Sequence, residues 1–194
     1  MKLPASPERN TLHEKAVDES LAVSQNGRHG FNVCSYGTGT AVRLPGPAAD
    51  KPNTYQFGTP YDDIYNDLAR KDSQLYTANG LLQMLDRNRR IKLCPERFQD
   101  NRATFDVIIT CEERCFDLAC EELANRTMKR NVPVHIINVE IKDNHEEAAV
   151  GGKLILQLAT MIARSPDRDN EMERILMAFE QQTNANILHS IGFY

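Results

Sequence analysis

Two short apolar runs in the second half of the chain constrain its fold more than any other feature: Phe105-Asp106-Val107-Ile108-Ile109-Thr110-Cys111 and Val134-His135-Ile136-Ile137-Asn138-Val139. Strands buried on both faces read as continuous β-branched runs, and each run here is followed by a helix-forming segment. After the first, Cys111, Cys115, Ala119 and Leu123 recur four apart; after the second, Leu154, Ile155, Leu158, Ala159 and Ile162 share one helical face. Strand, helix, strand, helix implies parallel strands joined by right-handed crossovers. A last amphipathic helix carries Met172, Ile175, Leu176 and Phe179, and Ile187 to Tyr194 alternates as a terminal strand.

Upstream, Phe31 to Tyr36 reads as a strand that stops at Gly37-Thr38-Gly39. The prolines of Leu44-Pro45-Gly46-Pro47 through Lys51-Pro52-Asn53 exclude regular helix and favour an ordered surface insert. A helix is expected next, with Thr59 as N-cap, Pro60 at the first helical position, and Tyr61, Ile64, Tyr65 and Leu68 on its inner face. A second helix is expected over about Ser73 to Asp86 despite Gly80, ending in the basic run Arg87 to Lys92, whose cations suit a helix C-terminus better than an acidic ligand. Residues 1–29 are polar, contain nothing that reads as a buried strand, and offer at best one short helix from His13 to Ser24.

With 194 residues, 41% of them hydrophobic and 26% charged, and a formal net charge of -4, one domain with an ordinary core is expected. Such a balance gives no basic face for direct nucleic-acid binding. No apolar run approaches the roughly 18 residues of a membrane span, and the N-terminus lacks the apolar stretch of a secretory signal, so a cytosolic or nuclear protein is expected. Five cysteines, an odd number, are expected to be reduced thiols.

Cys120 to Thr127 fits a Cys-x5-Arg phosphate-loop pattern literally, with Arg126 closing it. It continues a helical pattern, lacks glycine, and places Glu121 and Glu122 where an anionic transition state needs amides, so it reads as coincidence. Cys34 lies inside the strand FNVCSY, and Cys111 and Cys115 read as core thiols; no metal site is expected. Asp143 follows the second apolar run, in Lys142-Asp143-Asn144-His145-Glu146-Glu147, where Asn144 and Glu147 also form a plausible capping box.

Several blocks resemble the RNA polymerase II C-terminal-domain serine phosphatases of the Ssu type: SYGTGTAVRLPGPAADKPN at 35–53, TPYDDIYNDLARKD at 59–72 and YTANGLLQMLDRNRRIK at 76–92. PERFQ at 95–99, TCEER at 110–114, VPVHIINVEIKDNHEEA at 132–148 and LHSIGFY at 188–194 follow in order, so the resemblance covers residues 30–194. It implies an α/β fold: a doubly wound parallel sheet similar to low-molecular-weight phosphotyrosine phosphatases, with a helical cap insert at about 40–95. Residues 1–29 then form an atypical N-terminal segment, and the family's first, central strand, in a 2-1-3-4 order, is missing from it.

The resemblance further implies a cysteine-based hydrolase without cofactor. A Cys-x5-Arg-Ser loop supplies a thiolate nucleophile and a guanidinium that grips the phosphate, while an aspartic acid protonates the leaving serine oxygen. That acid matches Asp143, with Glu140 the nearest other carboxylate. In the family's register the nucleophile position falls on Leu12 and the arginine position on Asp18, so this chain is expected to be catalytically impaired. The peptide groove is implied at Leu44, Pro45, Tyr76 and Met84. Implied partners are the phosphorylated polymerase C-terminal-domain repeats and a symplekin-like scaffold of mRNA 3′-end processing, with a nuclear address. Two readings follow for the N-terminus: a mispredicted or alternatively spliced exon in a true phosphatase gene, or a non-catalytic member that keeps its partner surfaces.

Overall fold

The computed structural model describes residues 19–25, 31–48, 50–127, 131–141 and 145–194. They fall into two compact units, one of residues 19–35 and 102–194, the other of residues 36–101.

The first unit is built on a five-stranded sheet of order β2-β1-β5-β6-β7. Its strands are β1 (Glu19–Gln25), β2 (Phe31–Gly37), β5 (Val107–Thr110), β6 (Pro133–Val139) and β7 (Ile187–Phe193), with β3 and β4 belonging to the second unit. The two apolar runs are β5 and β6, parallel, with Val107 opposite His135 and Thr110 opposite Asn138. Their alternate residues serve opposite faces. Val107, Ile109, Ile137 and Val139 pack under α4 (His145–Arg164) and α5 (Arg168–Thr183), against Ile155, Leu158, Ile162, Met172, Ile175, Leu176 and Phe179. On the other face α3 (Glu113–Asn125) packs on β6 and β7 through the buried Cys115, Ala119 and Leu123. Ile109, Ile137, Leu158 and Phe179 are fully buried, each contributing roughly 1.5–3 kcal/mol by removal of apolar surface from water. Helices on both faces make the sheet doubly wound, and β7 closes it antiparallel to β6, from Pro133 opposite Phe193 to Val139 opposite Ile187.

Two expectations need correction. The helix read across His13 to Ser24 is overturned from Glu19 onward, because Glu19–Gln25 is a strand. That strand occupies the middle of the sheet, the place expected to be vacant, and it pairs with β5 in the antiparallel sense, Ser20 opposite Thr110 and Val23 opposite Val107. Tertiary pairing overrides weak local propensity here: a flanked central slot satisfies backbone N–H and C=O groups on both sides of whatever segment enters it.

The second unit joins a hairpin of β3 (Val42–Leu44) and β4 (Asn53–Tyr55) to α1 (Tyr61–Ala78) and α2 (Leu81–Ile91). Its core is Val42, Leu44, Tyr61, Ile64, Leu68, Tyr76, Leu81, Leu82, Met84 and Leu85. The first expected helix starts one residue late: Pro60 is its N-cap and accepts the N–H groups of Asp63 and Ile64, while the Thr59 hydroxyl turns back to the Gln56 carbonyl at 2.8 Å. α1 is kinked at Asp72 (φ -162, ψ 88), whose carboxylate accepts the Leu75 N–H at 2.9 Å and so re-caps the last turns. The second expected helix, Ser73 to Asp86, is not continuous. Gly80 adopts φ 83, a left-handed conformation open to glycine, which ends one helix and starts α2.

Candidate functional site

Open α/β sheets bind ligands beyond the carboxyl ends of their parallel strands, so the ends of β5 and β6 are where chemistry belongs. β5 ends on Thr110, and opposite it stands Asn138, the last residue but one of β6; both are buried and polar. The Thr110 hydroxyl donates to Asn138 Oδ1 at 2.8 Å, and Asn138 Nδ2 donates to Glu140 Oε2 at 3.1 Å. Thr110 and Asn138 are 0% and 2% exposed, so each is held by its neighbours, while Glu140 lies at the surface. Just beyond, the Ile141 N–H donates to the Cys111 carbonyl at 3.1 Å, joining the segments that leave the two strands. Ile141 also fills the space beside Gly151 of α4, where an added Cβ would come within 2.4 Å of the isoleucine Cδ1. The expected acid, Asp143, and Asn144 of the expected capping box with Glu147 lie outside the described residues, as do Leu12 and Asp18.

The insert residues are brought together differently from a groove lining. Leu44, Tyr76 and Met84 are buried in the core of the second unit, whereas Pro45 is exposed. Two of them, Pro45 and Tyr76, are joined by the amide of Asn53. Its Nδ2 donates to the Pro45 carbonyl and to Tyr76 Oη, both at 2.9 Å, and its Oδ1 accepts from Lys71 Nζ at 3.2 Å. Lys71 in turn pairs with Asp67 at 2.7 Å, and Asp67 accepts the Tyr55 hydroxyl at 2.7 Å. Burial, reinforced by the Asp67 carboxylate, pushes the Tyr55 phenol above its ordinary value, while hydrogen bonds from Lys71 and Tyr55 lower Asp67. Sequence reasoning missed both Asn53 and the Thr110–Asn138 pair. The second had a visible signal, a polar residue one place before the end of each apolar run; an asparagine among prolines carried none.

The cysteines fall where the sequence put them. Cys34 is partly buried in β2, and Cys120 lies in mid α3, where burial pushes its thiol up, away from a thiolate. Arg126 forms the C-cap of that helix, paired with Glu122 at 3.0 Å and set over the Tyr194 ring at 5.9 Å. In the basic run, Arg89 bonds Asp62 at 2.7 Å and Asp86 at 2.5 Å, Arg90 pairs with Asp86, and Lys92 lies 3.6 Å from Glu96. These cations balance local carboxylates at the end of α2.

The model of the Ssu72-like protein family matches residues 18–194. The chain is 53% identical over 194 residues to the Homo sapiens RNA polymerase II C-terminal domain phosphatase SSU72, covering 99% of this chain and 100% of that one. With the Schizosaccharomyces pombe protein of the same description it shares 54% identity over 167 residues, 85% of each chain. Among solved structures, the Drosophila melanogaster serine phosphatase of the RNA polymerase II CTD superposes with a TM-score of 0.80 at 52% identity, covering 82% of this chain and 84% of that one. A crystal structure of D. melanogaster Ssu72 with Symplekin and a cis peptidomimetic CTD phosphoserine peptide gives 0.79 at 50%, covering 82% and 83%. Together with the doubly wound sheet and the polar ends of its parallel strands, these matches show that the chain belongs to the Ssu72-like protein family.

Proposed function

We propose that this chain is a nuclear family member that engages phosphorylated polymerase C-terminal-domain repeats and a symplekin-like scaffold but does not hydrolyse the phosphoester. One observation carries the reading: no cysteine precedes Cys34, and Cys34 lies within a strand. A thiolate mechanism needs a nucleophile and a guanidinium converging on one anion from a loop of backbone amides. Leu12 offers no nucleophilic atom, and Asp18 repels a phosphate dianion. β1 begins at the Thr110 end of β5, with Ser20 opposite Thr110, so the reading rests on the chemistry of the residues before that strand and not on its direction.

The unit of residues 36–101 serves in this reading as the cap insert, with Leu44, Pro45, Tyr76 and Met84 shaping it and Pro45 offering the exposed surface. The segment 1–29 is the atypical part. Recognition of a CTD phosphoserine peptide and of Symplekin is described for the D. melanogaster relative and is extended to this chain as part of the proposal. Of the two readings of the N-terminus, the non-catalytic member is favoured, since a strand from that segment completes the middle of the sheet. The test is hydrolysis of a phosphoserine heptad-repeat peptide by the purified protein, with Asp143→Asn alongside and peptide binding measured by fluorescence anisotropy. The expected result is binding with no phosphate release above a buffer blank. Release that disappears in Asp143→Asn would overturn it.

A further inference from the structure

A buried titratable cluster sits apart from the strand ends just described. His135 of β6 is 3% exposed, and its Nδ1 lies 3.0 Å from Nε2 of His189 on β7. Its Nε2 lies 3.3 Å from Oδ1 of Asp169, in the first turn of α5. The imidazole planes are 20° apart with centroids 5.3 Å apart, a separation equal to the N···N distance plus the two ring radii. The rings therefore meet nitrogen to nitrogen in line, the geometry of a hydrogen bond.

This arrangement assigns the protons. A carboxylate only accepts, so His135 carries its hydrogen on Nε2 and presents a bare Nδ1, to which His189 donates from its own Nε2. The pair is neutral and ordered from β7 through β6 to α5. The charged groups facing it come from α5 (Asp169, Arg168 and Glu173) and from Asp106 before β5, which Arg168 grips at 2.5 Å while its Nε bonds Asp169 at 3.3 Å.

We propose that His135, His189 and Asp169 form a proton-gated latch, in which two neutral imidazoles joined in line hold β7 to β6 while Asp169 fixes the tautomer of His135, and double protonation breaks the link between the two strands. One added proton is tolerated. It enters Nδ1 of His135, His189 shifts its own hydrogen to Nδ1, and the resulting cation is shared along the N···N line beside Asp169. A second proton places two N–H groups face to face at 3.0 Å, and the bond becomes a repulsion between two cations. Burial opposes charge on both rings, and for His189 the neighbouring His135 adds to the effect. Both folded-state values are thus lowered. The latch is intact above the ordinary histidine range, and its contribution falls as pH drops below that range toward the lowered values.

The test is NMR of the full chain labelled with 15N in its histidine rings, titrated from pH 7.5 to 4.5, with amide exchange of Leu188 and Ser190 in β7 followed over the same range and corrected for intrinsic rates. At pH 7.5 both rings should carry hydrogen on Nε2. The pair should then take up protons in two steps, the second about tenfold or more weaker than the first, with β7 exchange accelerating in the second step. His189→Gln supplies a donating amide that takes no proton, and should abolish that acceleration. Hydrogen on Nδ1 of His135 at pH 7.5, independent titration of the two rings, or acceleration that persists in His189→Gln would each refute the latch. The wild-type ring spectra decide the matter even if the variant does not fold.

Discussion

The C-terminal residue shows how one side chain ties a chain end to its sheet. Tyr194 is 8% exposed, its Oη accepts the Phe105 N–H at 3.3 Å, and its own N–H donates to the Val132 carbonyl at 2.9 Å. Burial pushes the phenol up to about 12. A raised acid in the folded state stabilises below its unfolded value near 10 and loses that contribution as pH climbs through the folded value. Urea unfolding at successive pH values should show stability falling by roughly 2 kcal/mol between about pH 10 and 12. Tyr194→Phe should flatten that decline and cost about 1 kcal/mol at pH 7 through the lost hydrogen bond; an unchanged alkaline slope would show that the decline comes from another group. The sequence block ending in Tyr194 revealed the strand, but not that its last hydroxyl is buried. A partner 89 positions away leaves no local trace.

At the scale of elements, legibility followed how far local pattern and tertiary pairing agreed. β5, β6 and the helices after them were readable because strands buried on both faces admit few residues other than branched apolar ones, and the helices facing them repeat at 3.6. The break at Gly80 was not, since a glycine within a helical pattern is equally consistent with a tolerated interior residue. Nor was β1, whose ESLAVSQ alternates only at Leu21 and Val23 and is fixed by backbone pairing. The β3–β4 hairpin is a third case: three residues per strand cannot hold themselves together, and Asn53 fastens them by bonds to Pro45, Tyr76 and Lys71. Asn53→Ala removes all three and leaves Tyr76 Oη without this donor. Native-state amide exchange across β3 and β4 should accelerate about 30-fold or more, equivalent to about 2 kcal/mol, while β5 and β6 keep their protection. Unchanged exchange in the hairpin would mean that the apolar core alone holds it.

For the molecule as a whole, the candidate site was legible only as a family position. Asp143 matched by register, and the polar ends of β5 and β6 emerged only when two strands distant in sequence were set side by side with Thr110 opposite Asn138. What the sequence could not convey is direction. A segment entering the middle of a sheet can run either way, and its sense decides which end of the sheet the next loop serves. Here β1 opposes β5, and the interior of the sheet depends on that one strand. A proline in a central strand removes a ladder hydrogen bond whichever neighbour it faced, at a cost of about 3 kcal/mol or more. Leu21→Pro should therefore lower the melting temperature by about 6–12 °C for a chain of this size. If Leu21→Pro melts with the wild type, β1 does not hold the centre of the sheet. The case against hydrolysis would stand unchanged, because it rests on chemistry: neither Leu12 nor Asp18 can do what a thiolate and a guanidinium do.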